Sequence, residues 1–193
     1  MKKVVYIIPG FKHSPQRKIY KEVGGLFKDK GFEVVFVKIE WKYKSVFDWT
    51  EQFIDDYYKD DNSRKYLFGF SYGALISFLV STKKDIDTTI LCSLSPYFKE
   101  DLQSLFKSWK RMIGKKRVDD FEKLEMFELA PLVKNKTYLL YGTKEGKFIE
   151  KRAKDTYEKL NCKKYLISVE NAKHDIGNKK YLEEVKKVIN NLK

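Results

Sequence analysis

The amino-acid sequence predicts an α/β fold: a three-layer sandwich in which a six-stranded parallel sheet lies between two layers of helices, with a short helical insertion after the fourth strand. Three observations predict it. Short apolar runs alternate along the chain with longer segments of helical spacing. Several of these runs are apolar on both faces, the pattern of parallel strands covered on both sides. With 193 residues, 42% hydrophobic and 16% aromatic, the chain supplies one sizeable core, so residues 1–193 are read as a single domain.

The predicted strands are 4–8, 33–39, 65–70, 88–94, 136–141 and 164–169. After the first, Ile19, Val23, Leu26 and Phe27 recur at helical spacing, with Ser14-Pro15 as the expected start and Gly31 as the stop. Val46, Trp49, Phe53 and Tyr57 predict the next helix, and 74–81 follows the third strand. Ile149, Ala153, Tyr157 and Leu160 form another apolar stripe, and Leu182, Val185, Ile189 and Leu192 the last. The connection 96–132 exceeds one crossover helix and carries Phe98, Leu102, Leu105, Phe106, Trp109, Phe121, Leu124 and Phe127. Two or three short helices are expected there, either as an ordinary crossover or as a small cap over the sheet edge.

Composition narrows the class. Met1-Lys2-Lys3 precedes an apolar run of five residues, shorter than the ~7–15 of a signal-peptide core. No run approaches the ~20 residues that span a bilayer. A soluble, cytoplasmic protein is expected. Its two cysteines, Cys92 and Cys162, fit a reducing compartment, and neither has a partner at metal-ligand spacing. No metal or cofactor is expected. The net charge of +13 comes from 40 Lys and Arg spread along the chain among 27 acidic residues. No nucleic-acid motif accompanies it, so no nucleic-acid partner is expected. The sequence specifies no oligomeric state.

Ligands of parallel sheets bind beyond the carboxyl ends of the strands. The segment Gly69-Phe70-Ser71-Tyr72-Gly73 follows the third strand and opens a helix, which is the required setting of a G-x-S-x-G nucleophile elbow. Gly69 and Gly73 let strand and helix approach, and Ser71 is held out at the helix N-terminus, where developing negative charge is favoured. A serine hydroxyl needs a base. Of two histidines, His174 lies just past the last strand, and His13 lies in a loop after the first, where a surface histidine needs no function. His174 is therefore the expected base. An acid must orient it. Glu145, after the fifth strand, is the candidate, with Asp175 and Glu170 as competitors. Oxyanion donors are expected from the backbone N–H of Tyr72 and from that of Phe11 in the turn Pro9-Gly10-Phe11.

In order and spacing, Pro9-Gly10-Phe11, Gly69 to Gly73, Gly142-Thr143-Lys144-Glu145 and His174-Asp175 resemble the α/β-hydrolase series. The resemblance runs from Val4 to the C-terminal helix and is to the small members that lack the first two strands. It implies the strand order second, first, third, fourth, fifth, sixth. It also implies a serine hydrolase cleaving a carboxylic ester, thioester or amide of a small acyl substrate. The sequence departs from the family in two places: Glu145 stands where Asp is commoner, and the oxyanion turn lacks a His-Gly pair.

Two other classes of function stay open at this level. One is an inactive scaffold that only binds. The other is attachment to an anionic partner, nucleic acid or lipid, through Lys107, Lys110, Arg111, Lys115, Lys116 and Arg117, a run that a solvated helix face also explains. Aromatic candidates for an acyl pocket are Phe11, Trp41, Tyr43, Tyr97, Phe98 and Trp109.

Overall fold

The computed structural model describes residues 1–192. Six strands form one sheet: β1 (Lys3–Ile8), β2 (Glu33–Phe36), β3 (Arg64–Phe70), β4 (Thr88–Cys92), β5 (Lys136–Gly142) and β6 (Lys164–Val169). Every pairing is parallel, and the order is β2-β1-β3-β4-β5-β6, as the resemblance implies. Ser71 thus leaves the sheet from β3, a central strand fixed on both sides by β1 and β4.

The helices are α1 (Lys18–Lys28), α2 (Val46–Asp56), α3 (Tyr72–Ser81), α4 (Lys99–Leu102), α5 (Lys107–Ile113), α6 (Lys115–Phe121), α7 (Met126–Leu129), α8 (Lys147–Lys159) and α9 (Lys179–Asn190). Strand residues alternate between two cores. Val5 and Ile7 pack with Tyr20, Val23 and Phe27 of α1 and Tyr181, Val185 and Ile189 of α9. Val4, Tyr6 and Ile8 pack with Trp49 and Phe53 of α2 and with α3. Helix α3 is buried along its whole length, which explains why its sequence lacks a polar stripe. Ser77 and Ser81 satisfy themselves inside it by donating to the carbonyls of Gly73 and Ser77.

Three local expectations need correction. Helix α1 starts at Lys18, because Ser14 to Arg17 form a turn closed by the Arg17 N–H on the Ser14 carbonyl (3.2 Å). Strand β2 ends at Phe36 rather than residue 39, although the Val37 N–H still donates to Ile7 (3.0 Å). Strand β4 ends at Cys92 because Ser93 turns to φ 53°, a left-handed conformation that breaks the ladder.

The insertion contains α4 to α7 and a 3-10 turn at Ala130–Leu132. A buried ion pair anchors it: Arg152 of α8 donates through Nε to Asp101 of α4 (2.9 Å), with the two side chains 0% and 7% exposed. Among the described residues no helix is long and apolar enough to cross a membrane.

Candidate active site

The elbow forms because two residues have no side chain. A Cβ on Gly69 would lie 2.3 Å from the carbonyl oxygen of Gly73, and one on Gly73 would lie 2.1 Å from that of Ile8. Strand β3, helix α3 and the end of β1 therefore meet at backbone contact. Ser71 sits between them at φ 57°, ψ −117°, held by its N–H donating to the Cys92 carbonyl (2.9 Å). Such a conformation is costly for a residue with a Cβ, and it persists because the surrounding backbone fixes it.

His174 reaches over the sheet edge from the loop after β6. Its Nε2 lies 3.0 Å from Ser71 Oγ and its Nδ1 lies 2.7 Å from Glu145 Oε2. The imidazole packs against Phe70, with ring centroids 5.0 Å apart. Glu145 is brought in by the turn after β5, where its side chain is fully buried. Its other oxygen accepts from the Gly142 N–H (2.6 Å) and from the Ser93 hydroxyl (2.8 Å). The hydroxyls of Ser93 and Tyr181 lie 2.8 Å apart, and Tyr181 also donates to the Leu140 carbonyl (3.0 Å). The competing acids lie elsewhere: Asp175 accepts from the Gly177 N–H (2.9 Å), and Glu170 is exposed.

The turn after β1 is closed by the His13 N–H donating to the Gly10 carbonyl (2.9 Å), with Lys12 at φ 58°. Tyr20 holds it from below, its hydroxyl accepting from the Gly10 N–H (2.9 Å) and contacting His13 Nδ1 (2.9 Å). His13 is thus half-buried beneath the turn rather than a free surface residue. Burial pushes its pKa below the usual histidine value, and the nearby Arg17 and His174 push it further down. Burial likewise pushes the Tyr20 phenol up to about 12. The Phe11 ring is pinned 5.4 Å from Trp41 and 5.0 Å from Tyr72, with the Arg117 guanidinium 4.9 Å above it. Among the described residues, neither the Phe11 nor the Tyr72 backbone N–H donates to a protein acceptor.

A cleft of about 380 Å³ opens over Ser71, lined by Tyr97, Leu105, Phe106, Trp109, Phe148 and Ile149 beside Ser71, Glu145 and His174. Of the aromatic candidates, Tyr97 and Trp109 line it. Phe11 and Trp41 belong instead to the cluster under the turn, Phe98 is fully buried against Phe78, and Tyr43 is exposed beside α6. Sequence reasoning missed Ser93 and also Ser95, whose hydroxyl is 3.3 Å from that of Ser71. Both follow β4 at the carboxyl edge, and ending that strand two residues earlier reveals them. Among the described residues no group of three or more His, Cys, Asp or Glu side chains is placed to hold a metal ion.

No family model matches the chain, and no curated protein matches it in sequence. Solved structures do resemble it. Est1E from Butyrivibrio proteoclasticus, solved with ferulic acid bound, superposes with a TM-score of 0.81 at 15% identity, covering 97% of this chain and 88% of that one. Mouse α/β-hydrolase domain-containing protein 10 gives 0.79 at 13% identity, over 97% and 88%. A monoacylglycerol lipase from Paleococcus ferrophilus gives 0.75 at 17% identity, over 97% and 92%. The chain has the α/β-hydrolase fold, in a form with six parallel strands.

Proposed function

We propose that the chain is a serine hydrolase that cleaves carboxylic esters of small apolar acyl substrates, with thioesters and amides as chemically related alternatives. One observation carries this reading: Ser71 Oγ, His174 and the Glu145 carboxylate form a continuous line of contacts, 3.0 and 2.7 Å long, at the floor of an apolar cleft.

In this reading, Ser71 attacks the substrate carbonyl as His174 Nε2 takes its proton. Glu145 orients the imidazole through Nδ1 and stabilises the imidazolium. The N–H groups of Phe11 and Tyr72 hold the oxyanion; the Tyr72 N–H belongs to the first turn of α3, where no intrahelical acceptor exists. His174 then protonates the leaving alcohol, and water, activated by the same imidazole, releases the acid from Ser71. Residues 96–132 act as a small cap that supplies the cleft's apolar wall. The structural neighbours that carry ferulic acid or are named as a monoacylglycerol lipase support an ester substrate.

The test is labelling with a fluorophosphonate probe. Ser71→Ala is expected to abolish labelling. Equal labelling of the parent and the variant overturns the proposal, and so does an unreactive parent, which would point to an inactive binding scaffold.

A further inference from the structure

Residues 103–118 contain six Lys and Arg and no Asp or Glu. Half of these cations are occupied by the protein itself. Lys115 pairs with Asp119 (2.6 Å) and Lys116 with Asp48 (2.7 Å), while Arg117 donates to the carbonyls of Lys44 and Trp41 (3.1 and 3.0 Å). Among the described residues, Lys107, Lys110 and Arg111 have no carboxylate within 4.0 Å. They lie along one edge of α5.

The adjacent edge of the same helix is apolar and faces water. Phe106 is 71% exposed, Met112 70% and Trp109 44%, at a spacing of three residues, while Ile113 anchors the helix from beneath. Across the cleft mouth Phe148 is 43% exposed, flanked by exposed Lys144 and Lys147. Large side chains left in water together, beside unneutralised cations, mark a surface made for contact. The combination of Trp, Phe and Met with Lys and Arg matches the headgroup region of a bilayer. A nucleic-acid duplex would engage the cations through its phosphates and leave the apolar edge wet.

We propose that α5 and Phe148 dock on an anionic lipid surface, with Phe106, Trp109 and Met112 entering the headgroup boundary and Lys107, Lys110 and Arg111 meeting lipid phosphates. Phe106, Trp109 and Phe148 also line the cleft above Ser71, so docking turns its mouth toward the bilayer. The proposal does not depend on turnover at Ser71.

The experiment measures cosedimentation and tryptophan emission of the full chain with phosphatidylcholine vesicles, with and without phosphatidylserine. Trp41 and Trp49 are 9% and 0% exposed, so a blue shift reports Trp109. Binding to the phosphatidylserine vesicles is expected to be at least tenfold tighter, with a blue shift. The Lys107→Gln/Lys110→Gln/Arg111→Gln protein should lose about tenfold or more, since each cation near such a surface contributes appreciably. Met112→Gln, an independent variant, should weaken binding and reduce the shift. Ser71→Ala should bind like the parent. Thermal melts by circular dichroism check that each variant folds. Equal binding to both vesicle types, absence of a shift, or full retention by the triple variant overturns the proposal. Retention on heparin or RNA without any response to the anionic vesicles also overturns it, assigning the cations to a polyanion.

Discussion

The Ser93 hydroxyl donates to Glu145 Oε1 across 2.8 Å, from a residue held at φ 53°. One side chain thus pays a backbone penalty to reach a buried carboxylate. On the reading proposed for the site, Ser93 is a positioning residue: it keeps the other carboxylate oxygen aimed at His174. Ser93→Ala and Ser93→Gly are both expected to lower kcat about tenfold with little change in KM, since each removes the hydroxyl. Glycine tolerates the positive φ, so Ser93→Gly should be about 1 kcal/mol more stable than Ser93→Ala. Steady-state kinetics with a soluble ester and thermal melts measure the two effects separately. Unchanged kcat in both variants would remove Ser93 from the site.

On the proposed reading, the cleft wall sets a preference among acyl chains. Each buried methylene contributes about 0.8 kcal/mol, and Tyr97, Leu105 and Trp109 offer the apolar contact. The p-nitrophenyl ester of octanoate is expected to show a kcat/KM at least tenfold above that of acetate. Trp109→Ala should narrow the gap by lowering the octanoate value. A flat response to chain length would place the acyl group outside this cleft.

His13 gives a pH dependence of stability whose sign follows from its surroundings. Burial, with help from Arg17 and His174, holds its folded pKa below the unfolded value of about 6.5. The unfolded chain then binds the proton more readily, so this group's contribution is complete above that value and is lost as pH falls through the folded pKa. Thermal melts at pH 7.5 and 5.0 should show a smaller difference for His13→Gln than for the parent. An equal difference would mean that His13 is as easily protonated folded as unfolded.

How much of this was legible in the sequence varies with the length scale of the cause. Strand β3, the elbow glycines and His174 were readable because their signals are local: an apolar run, two residues without Cβ, and a histidine after the last strand. Glu145 was legible from its place after β5, although only coordinates separate it from Asp175, which turns to its own backbone. Ser93 was hidden inside an apolar run, because nothing in Cys92-Ser93-Leu94 announces the positive φ that ends the strand. The role of Tyr181 was equally hidden, since its hydroxyl meets Ser93 across 88 positions of sequence. Phe11 and Trp41 misled as pocket residues because composition cannot distinguish an aromatic that brackets a turn from one that lines a cavity.

The contact between Ser71 and His174 joins residues 103 positions apart. During synthesis at about 5–20 residues per second, the elbow leaves the ribosome on the order of 5–20 s before its imidazole partner. A nascent chain that has already paired β1 with β3 therefore carries Ser71 without its imidazole neighbour. On the reading proposed for the site, nucleophilicity arrives only when translation has passed the loop after β6, so the cell meets this hydroxyl as a reagent only once the sheet is nearly whole.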